Sequence, residues 1–250
     1  MIFKLIACEV FFREISLCAA VSPHTVDVEL TEKGAHDKSD FLRDLIQSKI
    51  DAAEKSARAY DAVLLGYGLC GNAASGIHAR SVPLVIPRAH DCCTVFLGSR
   101  KAFEDRFKDN PSLPFSSAGY MERGGKLMRE ADTGLVPGAG GSLEELIARY
   151  GEENGRYLHE TLSPGRSHGA GDTLVFIDVP ELAHLGYAEK CRLRAEEAGM
   201  KIEVMRGDTR LIRMLLSGEW DPREFLIVAP GQRIRGVYDW DEIIRAEEPE

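Results

Sequence analysis

The order of apolar and polar residues predicts strands that alternate with helices along most of the chain. Short unbroken apolar runs such as VLLG at 63–66 are typical of strands buried on both faces of a parallel sheet. Segments such as 40–57 instead repeat their apolar residues at helical spacing. This alternation favours an α/β protein. The predicted strands are 2–8, 24–30, 60–72, 82–93, 173–179, 201–207 and 225–234, and the predicted helices are 9–21, 40–57, 142–162, 185–198 and 208–217.

The strand–helix alternation occurs at both ends of the chain, with a less regular stretch between them. We therefore predict two Rossmann-like α/β lobes with parallel sheets, the first over 1–100 and the second over 172–250. Residues 101–171 carry many Pro, Gly and Ser residues, which predicts an irregular, partly helical middle segment that joins the lobes. We expect the functional site in the cleft between the lobes, because clefts between domains are common ligand sites.

Composition and charge exclude several classes of function. The 250 residues are 44% hydrophobic and 28% charged, the ordinary composition of a soluble globular protein. Lys and Arg number 31 against 40 Asp and Glu, a net charge of −9, so there is no basic excess to bind nucleic acid. No window holds the ~18 uncharged apolar residues of a membrane helix. The apolar N-terminal run is interrupted by charged residues, so we expect no export signal and a cytoplasmic protein.

Three of the six cysteines lie near the ends of predicted strand segments, where the apolar run of 60–72 breaks into a glycine-rich turn and that of 82–93 is broken at Pro87. Cys8, Cys70 and Cys92 each come after an apolar run, and the carboxyl ends of parallel strands lie at one edge of a sheet. His90 precedes Cys92 by two residues in the same turn. Thiolates and imidazole are ligands of zinc, and thiolates also hold iron–sulfur clusters. We therefore predict a zinc site at these four residues, with an iron–sulfur cluster as the alternative; a reactive thiol, or cysteines that only pack, are further readings.

Neighbouring residues are candidates for supporting roles. Asp91 lies between His90 and Cys92, where it would orient the imidazole or act as a general base. The turn GYGLCGN contains Gly68 and Gly71, which allow a close approach, and Asn72, which tolerates left-handed geometry. We predict that these three residues contact a bound ligand, although a simple tight turn after a buried strand would need the same residues.

Residues elsewhere in the chain receive weaker assignments. Arg233 lies in the turn PGQRI after the last predicted strand, and we expect that turn to face the cysteines so that Arg233 meets an anionic substrate. Cys18 and Cys191 fall within predicted helices and are assigned to packing. Cys93 is left out of the site, although it would be a spare ligand beside Cys92.

Four segments together resemble the uncharacterised DUF1638 family. They are ACEV, YDAVLLGYGLCGN, PLVIPRAHDC followed by LGSR, and LLSGEWDPREFLIVAPGQRI, and the resemblance covers roughly 1–100 and 145–235. The resemblance implies that Cys8, Cys70, His90 and Cys92 are the family's hallmark positions, whereas Cys93 stands where an aliphatic residue is expected. It also implies an association with corrinoid-dependent methyl-transfer systems, so a corrinoid protein is an expected partner.

Two functional hypotheses follow. The first is a metal-dependent enzyme, a transferase or a lyase, which acts on a small molecule in one-carbon or methyl-transfer metabolism. The alternative is a non-catalytic accessory or chaperone protein that binds a metal, a corrinoid or a methyl carrier. A structural zinc protein, with all four ligand positions filled by the chain, is a third reading.

Overall fold

The computed structural model describes residues 1–33, 39–110, 113–124, 173–237, 239 and 241–249, together with residues 143, 144, 147, 152 and 156. The strands are β1 (Ile2–Cys8), β2 (Thr25–Thr31), β3 (Ala62–Gly66), β4 (Leu84–Pro87), β5 (Phe115–Ser117), β6 (Thr173–Asp178), β7 (Lys201–Arg206), β8 (Phe225–Val228), β9 (Arg233–Gly236) and β10 (Ile244–Glu247). The α-helices are α1 (Phe12–Val21), α2 (Ser39–Glu54), α3 (Cys92–Leu97), α4 (Arg100–Phe107), α5 (Ala118–Gly124), α6 (Tyr187–Glu197) and α7 (Arg210–Leu216), and 3-10 turns cover Glu9–Phe11 and Pro180–Leu185.

The strands form two sheets and a hairpin. The first sheet has the order β2-β1-β3-β4-β8, and its first four strands are parallel. The second sheet has the order β5-β6-β7 and is parallel throughout. Strands β9 and β10 pair as a separate antiparallel hairpin. The predicted α/β class with mainly parallel sheets is confirmed, whereas the predicted helix at 142–162 lies outside the described residues, apart from isolated positions.

The segment 225–234 differs from its prediction as one strand of a second parallel lobe. It divides into β8, which joins the first sheet, and the start of β9. Strand β8 is antiparallel to β4, with Leu84 opposite Val228 and Pro87 opposite Phe225. An apolar run indicates that a strand is buried but does not indicate the direction of that strand. The sequence pattern therefore could not distinguish parallel from antiparallel pairing. The lobe boundaries at 100 and 171 stay a prediction.

The hydrophobic core covers both faces of the first sheet. On one face, α2 buries Leu42, Ile46 and Ile50, whose spacing places them on one side of the helix. On the other face, α1, α3 and α7 pack in a cluster that also contains Phe115 and Val175 of the second sheet. The two sheets therefore share one core. None of the described helices is long and apolar enough to cross a membrane.

The packing assignments of two cysteines are confirmed. Cys18 on α1 is buried in the core that the two sheets share. Cys191 on α6 is buried with Leu174 and Phe176 on the far face of the second sheet. Both thiols fill apolar space in helices, as the sequence pattern predicts.

A buried carboxyl group lies within this core. Glu14 on α1 is 1% exposed, and neither of its carboxyl oxygens accepts a hydrogen bond from another residue of the described chain. Burial, and to a smaller extent the charge of Glu122, raises the pKa of Glu14 to about 7. Near neutral pH this carboxyl group therefore changes its charge inside the core.

We expect Glu14→Gln to become more stabilising as the pH rises. Because the folded pKa of Glu14 lies above its value in the unfolded chain, wild-type stability is lost as the pH rises from about 4.5 through about 7. Glutamine cannot ionise, so the difference in unfolding free energy between the variant and the wild type should grow by about 3 kcal/mol between pH 4 and pH 8. Urea unfolding at several pH values measures this difference. The exposed Glu197→Gln serves as the control, and a difference that stays flat with pH would contradict the prediction.

Candidate functional site

Three thiols come to one edge of the first sheet. Cys8 is the last residue of β1, and Cys70 and Cys92 follow β3 and β4, which lie next to β1 in the order β1-β3-β4. All three strands are parallel, so their carboxyl ends share that edge. The three cysteines therefore lie at the edge of the first sheet where its parallel strands end, as their positions in the sequence predict.

The turn that carries Cys70 has an unusual backbone. Cys70, Gly71 and Asn72 have φ values of +47°, +60° and +73°, so three successive residues are left-handed. This conformation costs a non-glycine residue about 1–3 kcal/mol, and such strain is typical of functional sites. The backbone N–H of Cys70 donates to the carbonyl of His90 at 2.9 Å, which fixes the turn against the one after β4.

The glycine beside this turn allows two backbones to meet. A Cβ atom on Gly68 would lie 2.7 Å from the backbone nitrogen of Asp91, closer than real structures permit. Gly68 therefore permits the close approach predicted for it, and its neighbour in the structure is the turn after β4. The Gly71 carbonyl accepts a hydrogen bond from Ser39, and the side-chain oxygen of Asn72 is buried. A ligand contact of Gly68, Gly71 or Asn72 stays a prediction.

Asp91 starts the helix that carries the third thiol. Its carboxylate accepts a hydrogen bond from the backbone N–H of Thr94 at 3.2 Å, the geometry of an N-cap. Helix α3 consequently begins at Cys92, so the thiol occupies the first helical position. Burial raises the pKa of Asp91 to about 6, although the hydrogen bonds from Thr94 and Cys93 oppose this shift. Asp91 has a clear role in positioning Cys92, while its predicted role as general base stays a prediction.

Burial makes all three thiols weak acids. It raises the pKa of Cys8 to about 11 and that of Cys70 to about 12, and it raises the pKa of Cys92 well above its usual value. The charge of Asp91 is a further cause of the shift at Cys70 and at Cys92. Near neutral pH, the thiols of the metal-free protein are therefore protonated.

Two tyrosines that sequence reasoning missed lie beside the thiols. The hydroxyl oxygen of Tyr120 is 2.8 Å from the Cys92 sulfur, and Tyr120 follows β5 of the second sheet. The hydroxyl of Tyr67 is 2.6 Å from that of Thr31. Burial raises the pKa of Tyr67 well above its usual value, and the charges of Cys8 and Cys70 add to that shift. Tyr67 could have been noticed in the GYGLCG turn. Tyr120 gave no such signal, because its segment has no regular pattern.

His90 packs against an aromatic side chain. Its ring stacks on Phe103 of α4 with the centroids 5.6 Å apart, and Phe103 stacks in turn on Phe107. Burial lowers the pKa of His90 to about 4, so the imidazole is neutral near pH 7. Neutral imidazole is the form that binds metal, but the stacking equally fits a packed core histidine. Metal ligation by His90 stays a prediction.

Arg233 does not lie where the sequence pattern placed it. Because β8 is antiparallel to β4, the turn after β8 lies at the edge where β4 begins, opposite the cysteines. The expectation that this turn faces the thiols is therefore wrong. Arg233 pairs with Glu247 of β10 at 2.8 Å and forms a backbone bridge with His78.

The three thiols are not arranged as the ligands of a metal ion in this structure. Across the described ranges, no three His, Cys, Asp or Glu side chains already form a group able to hold a metal ion. A metal ion shared by the three thiols would need their sulfurs to come closer together. Cys93 points away into the core, where it is fully buried.

The described fold and site define an α/β protein with a thiol-rich edge beside a second parallel sheet. The chain belongs to the DUF1638 family, described as a protein of unknown function, whose family model matches residues 30–216. This match confirms the family resemblance and covers Cys70, His90 and Cys92, while Cys8 lies before the matched range. No curated protein and no solved structure matches the chain.

Proposed function

We propose that the thiol edge binds a thiophilic metal ion, zinc in the first instance, through Cys8, Cys70 and Cys92. The observation that carries the proposal is that these three cysteines lie at the carboxyl ends of neighbouring parallel strands, where their side chains are at least partly buried. Burial raises the pKa of all three thiols, of the Asp91 carboxyl group and of the Tyr120 phenol. A bound cation would stabilise the ionised forms that this environment otherwise disfavours.

The same electrostatics argue against a free thiol nucleophile. A thiol with a pKa of about 12, as at Cys70, has fewer than about one molecule in 10⁴ ionised at pH 7. The nearby histidine is a poor base, because burial lowers the pKa of His90 to about 4. Reactive cysteines in enzymes normally have a lowered pKa or a paired base. A metal ion is the simplest way to make thiolates here.

Three thiolates would leave one ligand position for a substrate. Zinc sites that have three protein ligands keep the fourth open, and a cluster held by three cysteines leaves one iron accessible. A metal in such a site polarises or orients a small molecule. The chain's own contribution is to hold the thiols on a strained turn and on a helix start, with Tyr120 against one sulfur.

The proposal also has a second, more specific part, which concerns the substrate and the partner protein. A small-molecule substrate in one-carbon or methyl-transfer metabolism, and a corrinoid protein as partner, rest on the family resemblance given above. Anaerobic mixing with a corrinoid protein, followed by the corrinoid absorption spectrum, tests that part separately. A spectrum that stays unchanged with and without a methyl donor would remove the corrinoid context and leave the metal site standing.

The metal and its identity are tested together by anaerobic purification, elemental analysis and absorption spectroscopy. A colourless protein with one zinc ion per chain supports the zinc proposal. A brown protein with iron and charge-transfer bands supports the iron–sulfur alternative. Protein that contains neither metal, and takes up neither on reconstitution, would contradict both.

His90→Ala separates a three-thiolate site from a site that includes the imidazole. The proposal rests on the three thiols alone, because the stacking of His90 on Phe103 fits a packed core histidine. On that basis the variant keeps its metal content, whereas ligation by the imidazole, which the sequence predicts, requires that the metal be lost. Removing the buried ring should lower the unfolding free energy by about 1–3 kcal/mol. Elemental analysis of the variant and the wild type, purified side by side, measures this. Loss of the metal from a variant that remains folded would return His90 to the ligand set.

A further inference from the structure

The contact between Tyr120 and Cys92 joins the two sheets at the proposed metal site. Tyr120 lies in α5, directly after β5 of the second sheet, whereas Cys92 begins α3 after β4 of the first. The phenol oxygen and the sulfur are 2.8 Å apart, which is hydrogen-bond distance. A side chain of α5, the helix that follows the first strand of the second sheet, therefore touches one of the three sulfurs directly.

Packing holds the ring of Tyr120 in place independently of its hydroxyl group. The side chain is 2% exposed, and its ring meets Phe115 edge-on and lies against Phe96. The chain approaches through Gly119, where a Cβ atom would overlap the carbonyl oxygen of Val10. A phenylalanine at position 120 would keep these ring contacts. The hydroxyl group can therefore be removed without removing its support.

We propose that Tyr120 is a positioning residue that donates a hydrogen bond to the Cys92 sulfur and so fixes the direction and electron density of that sulfur at the metal. This inference rests on the proposed function. With a metal bound, Cys92 is a thiolate, which has no hydrogen to donate, so the phenol is the donor. In the metal-free chain, where the thiol is protonated, either group can donate. Hydrogen bonds to metal ligands tune ligand basicity, and they commonly change affinity or activity 10–100-fold.

A tyrosine with a purely structural role would donate a hydrogen bond to the nearest acceptor and would not influence the metal. Tyr187 provides the matched comparison, because its hydroxyl group bonds to Glu122 at 2.8 Å and not to a thiol. Tyr187→Phe removes a hydroxyl group of the same kind from a region that contains Cys191 but none of Cys8, Cys70 and Cys92.

Two spectroscopic measurements on the full-length chain test the proposal. In metal-free protein, the S–H stretching band that disappears in Cys92→Ser should shift in Tyr120→Phe and stay fixed in Tyr187→Phe. In Co²⁺-loaded protein, Tyr120→Phe should move the thiolate-to-cobalt charge-transfer band to lower energy, because a sulfur that loses a hydrogen bond gives up electrons more easily.

The two measurements separate the two proposals. An S–H band that does not shift in Tyr120→Phe would overturn the contact, and a cobalt band that does not move would overturn its influence on the metal. Failure of the wild type to bind cobalt would overturn the metal proposal and the positioning role at the metal. In that case the S–H band would still report whether the hydrogen bond exists.

Discussion

Gly119→Ala is expected to lower the free energy of unfolding by about 4 kcal/mol, the range of exceptionally damaging substitutions. A Cβ atom at this position would lie 1.7 Å from the carbonyl oxygen of Val10, so the two backbones must separate. Val10 belongs to the 3-10 turn that follows Cys8, and Gly119 immediately precedes Tyr120. The substitution should therefore also weaken the contact between Tyr120 and Cys92.

Urea unfolding measures this loss, with Gly199→Ala as the matched control. Gly199 has a φ of +66°, but a Cβ atom there would meet nothing within 4 Å. Only backbone strain acts against alanine at that position, so the control should lose about 1 kcal/mol. Equal losses in the two variants would show that α5 can retreat from the 3-10 turn at little cost, contrary to the packing described.

Cys70→Ser and Cys92→Ser are each expected to lower metal affinity more than about 100-fold, beyond the effect typical of groups that only support a ligand. A serine hydroxyl group cannot replace a thiolate as a soft ligand. Competition against a chelator of known affinity, followed by elemental analysis, measures the change.

The matched control for these variants is Cys191→Ser. Cys191 is as buried as any thiol in the chain, but it packs on the far face of the second sheet. The control should lose stability and keep its metal. If all three variants bind metal equally well, Cys70 and Cys92 are not ligands.

Burial and helical spacing predicted most of the fold. The unbroken apolar run of β3 predicted a strand buried on both faces of a parallel sheet. The helical spacing of Leu42, Ile46 and Ile50 predicted which face of α2 is buried. An apolar run does not determine the direction of a strand, so the antiparallel pairing of β8 with β4 could not be predicted from the sequence. The turn that carries Arg233 consequently lies at the wrong edge for its predicted role.

The sequence could predict only the part of the candidate site that lies at the ends of strands. Cys8, Cys70 and Cys92 follow apolar strands, and parallel pairing alone brings such positions to one edge. Tyr120 of α5 reaches Cys92 at the start of α3 through a tertiary contact between residues 28 positions apart in the chain. Neither periodicity nor motif spacing encodes such a contact. The stacking of His90 on Phe103 is a tertiary contact of the same kind.

Titration of the anaerobic, metal-free chain with Co²⁺ tests the shared thiolate site most directly. The wild type should develop a thiolate-to-cobalt charge-transfer band that saturates at one cobalt ion per chain. A folded variant that carries Cys8→Ser, Cys70→Ser and Cys92→Ser together should not develop it. A wild type without the band, or a triple variant with the same band as the wild type, would contradict a metal site built from these three cysteines.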